Sequence, residues 1–231
     1  MVSIRRADER GRTNWAWLDS RHSFSFGDYY DPSNVGYRTL RVINDDRVQP
    51  GAGFGAHPHR DMEILSYVLD GALEHRDSLG NGSVIRPGEI QHMRAGTGVV
   101  HSEFNPSPTD ATHFLQIWVV PGARSLKPAY AQHRIDPEKA SRQFELLASH
   151  DGRNGSLELQ QDVDLWLTRL SAGEERTFGL RSGRYGWLHV AKGRVTLNGR
   201  ELSEGDGAAV QDEPLTLDHG QDAEVLVFDM A

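Results

Sequence analysis

The chain of 231 residues contains no cysteine, which excludes disulfides and thiolate metal ligands. Any metal must therefore be held by histidine and carboxylate. It also lacks an apolar run approaching the ~20 residues that span a bilayer as a helix. The amino terminus, MVSIRRADERGRTNWAWLD, has no apolar core of a secretory signal. A cytoplasmic protein without membrane association is expected. Positive charge is short too: 25 Lys and Arg against 33 Asp and Glu give a formal net charge of −8. Broad binding to phosphate backbones needs a basic face, so no direct nucleic-acid binding is expected. The local basic run Ile4-Arg5-Arg6, with Arg10 and Arg12, reads as a solvated amino-terminal segment.

Sustained helical periodicity is scarce. What the chain has instead is short apolar runs between glycine and proline turn signals. Residues 40–43, 63–69, 114–120, 165–170, 187–191, 195–198 and 225–229 read as strands, many β-branched or aromatic and several alternating. One short helix is expected at 136–140, with Asp136 as cap and Pro137 at the first helical position. The pattern is all-β, a sandwich or barrel. A weak internal repeat refines it. Leu65–Asp70, Gly71 and an alternating segment lead to Pro87-Gly88-Glu89; Trp187–Lys192, Gly193 and an alternating segment lead to Glu204-Gly205-Asp206. Two related β-barrel domains are expected, at 1–130 and 131–231, joined by a polar, proline-containing stretch near 121–142.

Of the eleven histidines, His22, His75, His92, His133, His150, His189 and His219 have no partner histidine within four residues and read as surface or hydrogen-bonded. His113 precedes an apolar strand and reads the same way. His57 and His59 differ, standing in GAGFGAHPHRDME (51–63). Residues i and i+2 of a strand share a face, so both rings can project to one side. Downstream, AGTGVVHSEFN (95–105) repeats the spacing with His101 and Glu103. Together the two segments offer three imidazole nitrogens and one carboxylate oxygen, a donor set suited to Fe(II), Zn, Mn, Co or Ni.

These residues give the chain its resemblance to the cupins. Gly51, His57, His59, Glu63 and Gly71 resemble the first cupin motif; Gly98, His101 and Asn105 resemble the second. The runs HPHRDMEILSYVLDGALEHRDSLGN (57–81) and MRAGTGVVHSE (93–103) are similar to the signature of pirins, which are bicupins, and most like bacterial pirin-like quercetin 2,3-dioxygenases. The resemblance implies two tandem cupin barrels (double-stranded β-helix or jelly roll) with a few short helices. It makes His57, His59, His101 and Glu103 the metal ligands, where most cupins would use the first-motif glutamate, here Glu63. Geometry favours the same choice: Glu103 shares a strand face with His101, whereas a bend after His59 would turn Glu63 away. The second barrel reads TFGLRSGRYGW (177–187), without histidine, so a single divalent ion is expected, Fe(II) first and Zn, Mn, Co or Ni as alternatives.

The activity implied is ring cleavage of a flavonol such as quercetin by O2 with release of CO, with Glu103 as general base accepting the proton of the 3-hydroxyl. The partners are then a small aromatic, flavonoid-like substrate and O2. The alternative is a metal-binding, redox-sensing regulator of the pirin type acting through a protein partner.

Overall fold

The computed structural model describes residues 1–231. As expected from the turn-punctuated apolar runs, almost all regular structure is strand. The exceptions are one helix, α1 (Pro137–Arg142), and two 3₁₀ turns. Asp136 caps α1 by accepting from the backbone N–H groups of Glu138 and Lys139. No helix is long and apolar enough to cross a membrane.

The chain divides into two compact units. One comprises residues 11–134 with 159–161; the other comprises residues 1–10, 135–158 and 162–231. An amino-terminal domain beginning at residue 1 is thus corrected for its first ten residues. β1 (Val2–Arg5) pairs antiparallel with Gly207–Gln211, Val2 facing Val210. Alternating Val2 and Ile4 give the segment a face to bury, and Arg6 makes a 2.8 Å ion pair with Asp206. This basic run is therefore an ordered strand and its continuation, not a solvated tail.

The unit of residues 11–134 starts with the hairpin β2 (Gly11–Trp15) and β3 (Leu18–His22), then the long β4 (Leu40–Val48). Next come β5 (Gly53–His59), β6 (Glu63–Asp70), β7 (Leu73–Asp77) and β8 (Gly82–Ile85). β9 (Glu89–Arg94), β10 (Val99–Phe104), β11 (Thr112–Val119) and β12 (Ala129–Arg134) complete it. They form a seven-stranded sheet, β12-β9-β6-β11-β4-β3-β2, and a four-stranded sheet, β5-β10-β7-β8. Leu18, Val48, Val68, Leu73, Ile85 and Phe114 make one buried cluster; each such side chain contributes roughly 1.5–3 kcal/mol of transfer free energy.

The other unit adds β13 (Glu145–Ser149), β14 (Leu157–Glu158), β15 (Val163–Leu170) and β16 (Arg176–Phe178). It ends with β17 (Tyr185–Leu197), β18 (Arg200–Ser203), β19 (Gly207–Gln211) and β20 (Leu215–Met230). With β1 these make one nine-stranded sheet around a core that includes Leu188, Val190, Leu217, Val225 and Val227. The strands expected at 187–191 and 195–198 are one continuous β17, which passes through Gly193 and shifts register against β20 there. Gly71 and Gly193, matched in the repeat, share a left-handed backbone (φ +75° and +72°). A Cβ at either would run into backbone carbonyl oxygens, so only glycine fits both turns.

Candidate metal centre

β5 and β10 pair antiparallel with His101 opposite His57 and Val99 opposite His59. Directly opposed residues share a sheet face, and the diagonal neighbour lies within reach of a long side chain. Register alone thus gathers three imidazoles. Their ring centroids lie 4.5 Å (His57–His101), 4.8 Å (His59–His101) and 4.8 Å (His57–His59) apart. β10 alternates strictly, with Val99, His101 and Glu103 buried and Val100 and Phe104 exposed. Gly53 permits the approach of the two strands, because a Cβ there would collide with the Glu103 carbonyl and Phe104.

Hydrogen bonds orient the rings. His57 Nδ1–H donates to the Gly55 carbonyl (2.8 Å), leaving the Nε2 lone pair free to face inward. His75 Nε2–H donates to Asp77 Oδ2 (3.1 Å), so its Nδ1 is the acceptor for Gln91 Nε2 (3.1 Å) and for His101 Nδ1–H (3.4 Å). That leaves the His101 Nε2 lone pair aimed at His57 Nε2, 3.0 Å away. Two facing lone pairs repel unless a cation lies with them. Burial, then the neighbouring imidazoles, pushes the His101 ring down to about 2; burial and His57 push His59 down to about 4. Rings held down in this way, His59 and His101, are neutral at pH 7, the form that ligates metal. The donor set fits a divalent cation.

The fourth expected ligand lies slightly apart. His57, His59 and His101 form one group whose ligand atoms lie within 4.8 Å of one another. Glu103 forms a second such group with His101 and His75. The Ser66 hydroxyl donates to Glu103 Oε1 (3.0 Å) and Gln116 Nε2 donates to Oε2 (2.7 Å). Burial outweighs both bonds and pushes this carboxyl up to about 7. A fully buried carboxyl of that kind gains from a nearby positive charge.

Glu63 is turned elsewhere. It stands three residues from Ser66 on β6 and so points to the opposite face of the sheet. There it contacts His92 Nε2 and pairs with Arg94 Nε (3.3 Å). It touches none of the four candidate ligands.

Two histidines read as isolated, His75 and His22, are part of the setting, whereas His113 is hydrogen-bonded away from it. His75 is fully buried, stacks on Tyr130 (centroids 5.0 Å) and backs His101. Its partner Asp77 is held in turn by Asn81 and the Leu79 and Asn81 amides in the turn after β7. Burial pushes Asp77 up, but these bonds and His75 outweigh it and hold the carboxyl below its ordinary value. The His75-x-Asp77 spacing is the same i, i+2 signal that picked out His57 and His59. His22 bonds Thr13 Oγ1 (2.9 Å) and Asn44 Oδ1 (2.7 Å), and His113 bonds Asp45 (2.7 Å). Both metal-type groups lie in this unit. In the degenerate copy, Arg184 of TFGLRSGRYGW pairs with Asp229 and Asp162.

His57, His59 and Glu103 border a cavity of about 700 Å³, part of it open to solvent, whose other walls include Trp15, Phe26, Phe54 and Trp118. Trp118 stands edge-on to both Phe26 (5.3 Å) and His59 (5.0 Å). Ligand-type side chains at one side and aromatic rings around them make a receptacle for a flat apolar molecule with polar edges.

The Pirin family matches residues 3–119, and the quercetinase C-terminal cupin domain matches residues 146–230. A quercetin 2,3-dioxygenase of Escherichia coli (strain K12) is 47% identical over 231 residues, covering 100% of this chain and 99% of that protein. The crystal structure of the bacterial pirin YhhW from Escherichia coli in complex with nickel(II) superposes with a TM-score of 0.94 at 46% identity, covering 100% of this chain and 99% of that one. YhaK, also from Escherichia coli, gives a TM-score of 0.74 at 31% identity over 95% of this chain and 93% of its own. Two cupin domains, matched along their length and carrying a histidine–glutamate cluster in the first, place the chain in the pirin family.

Proposed function

We propose that the chain is a metal-dependent dioxygenase that cleaves a flavonol such as quercetin with O2 and releases CO. The proposed ligands are His57, His59, His101 and Glu103, and the proposed ion is Fe(II). The observation that carries the reading is the convergence of three imidazoles near a buried carboxyl, at the edge of an aromatic-walled cavity. The activity named for the Escherichia coli relative and the nickel(II) held by YhhW support the reaction class and a divalent ion.

A divalent ion bound there would supply Lewis acidity toward the flavonol's 3-hydroxyl and adjacent carbonyl. The chain's own residues do the rest. Glu103, with a carboxyl near neutrality, accepts the 3-hydroxyl proton. Ser66 and Gln116 keep its two oxygens oriented while it does so. Trp15, Phe54 and Trp118 seat the rings and exclude water from the reacting face. Anaerobically purified protein given one equivalent of Fe(II) is expected to consume O2 and release CO on addition of quercetin. Absence of O2 uptake with Fe(II), Ni(II), Mn(II) or Co(II) would overturn the enzymatic reading and favour the regulatory one.

His75 acts as a positioning residue, fixing the His101 tautomer through Nδ1 while Asp77 fixes its own. His75→Ala is expected to weaken divalent-metal affinity by about 10- to 100-fold. A competition titration with Ni(II) and a chromogenic chelator measures this. Unchanged affinity would remove His75 from the site.

A further inference from the structure

The cavity has a polar floor that the metal-type groups use only in part. Strand alternation on β3, β4, β6 and β11 points Ser20, His22, Asn44, Asp46, Ser66 and Gln116 to one face. Register lines them up in rows. Ser20 faces Asp46, while His22 faces Asn44, which faces Gln116, which faces Ser66. An inward face of this kind ordinarily reads apolar. Ser66 and Gln116 are engaged by Glu103, and Asn44 by His22. Asp46 is engaged only in part, by the Ser20 hydroxyl. The residue is 3% exposed, it borders the cavity, and its Oδ1 has no hydrogen-bond partner.

A buried carboxyl oxygen without a partner destabilises the fold, and a stretch of apolar strand would be more stable there. Burial pushes this carboxyl up to about 7, the Ser20 hydroxyl opposing and the charges of Asp45 and Glu103 adding, so that it can donate or accept a hydrogen bond. A ligand hydroxyl reaching it would supply the missing partner. Apolar walls at Trp15 and Phe54 admit an aromatic ring, and an aromatic ring that carries a hydroxyl at its edge meets both demands.

We propose that Asp46 is a specificity-determining residue: its carboxyl hydrogen-bonds a ring hydroxyl of a phenolic ligand in this cavity and so selects polyhydroxylated aromatics over their deoxygenated analogues. The proposal rests on the reading that the cavity takes a flavonol-type substrate, but it concerns binding and does not require turnover. A site built around a hydrogen bond discriminates strongly against the analogue lacking the group, because the buried polar atom is then left unpaired.

The test compares quercetin with 3-hydroxyflavone, which keeps the 3-hydroxyl and the carbonyl but has no other ring hydroxyl. Anaerobic calorimetric titrations on Ni(II)-loaded protein give both affinities, and quenching of Trp15 and Trp118 fluorescence provides a second readout. The wild type is expected to favour quercetin by about tenfold or more, Asp46→Ala and Asp46→Val to lose that preference, and Asp46→Asn to keep most of it. Affinity for 3-hydroxyflavone should stay within about threefold throughout. Thermal midpoints of the apolar variants should match or exceed the wild type. An unchanged preference, an equal loss for both flavonols, or no binding by the wild type would overturn the proposal, as would failure of both apolar variants to fold. Asp46-dependent preference without O2 uptake would sink the proposed reaction and leave this subsite standing; O2 uptake without that dependence would do the reverse.

Discussion

Replacing His101 by alanine is expected to empty the metal centre and bring quercetin-dependent O2 consumption to background, with the fold intact. His101 is common to both groups of ligand-type side chains, and its ring packs against His57, His59 and His75 at centroid distances of 4.5, 4.8 and 5.2 Å. No other side chain joins these parts. Loss of a residue that merely orients a ligand typically costs 10- to 100-fold in metal affinity, so loss of the shared ligand should exceed about 100-fold. Strand β10 stays in place, because its backbone ladders to β5 and β7 do not involve the imidazole. Circular dichroism should therefore match the wild type while metal analysis finds the protein nearly metal-free. Full metal occupancy and normal turnover in this variant would show that the three-imidazole cluster is not the centre.

The parts of this site legible in the sequence are those that depend on local spacing. His57-x-His59 and His101-x-Glu103 needed only the two-residue period of a strand, and β10 follows that period residue by residue. The contribution of His75 depends instead on register. It stands 26 residues from His101, and β7 brings it alongside only because Glu103 pairs with His75 and His101 with Asp77. No spacing within β7 specifies that alignment. β4 failed for another reason. The apolar run was expected to end at Ile43, yet the strand continues to Val48 through Asn44, Asp45 and Asp46. Asn44 and Asp46 are polar where their face meets a cavity rather than a packed core, and Asp45, on the other face, pairs with His113 and Arg47, so the hydrophobic signal stops although the strand goes on. The pairing of β1 with β19 lies about as far from local information as a contact can, since Val2 and Val210 come from opposite ends of the chain.

The two carboxylates that motif reasoning could exchange should separate cleanly when each is made an amide. Glu103→Gln removes the negative charge beside the imidazoles and the group proposed to accept the substrate proton. Turnover is expected to fall by a factor on the order of 10² to 10⁴, the usual worth of a positioned general base. The protein itself should be as stable as before or more so, because burial alone opposes ionisation of this carboxyl and the amide carries no such cost. Glu63→Gln should do the opposite. Glu63 is fully buried on the face of β6 turned away from Ser66, against His92 and Arg94, and it contacts no candidate ligand. Neutralising it removes the carboxylate that faces Arg94 and weakens a charge-assisted hydrogen bond, at a cost of about 1–3 kcal/mol. That cost should appear as a lower urea midpoint, with metal content and turnover per folded molecule unchanged. The opposite pattern, an empty site in Glu63→Gln and a working one in Glu103→Gln, would transfer the carboxylate role to the first motif and require β6 to rotate its face when the ion binds.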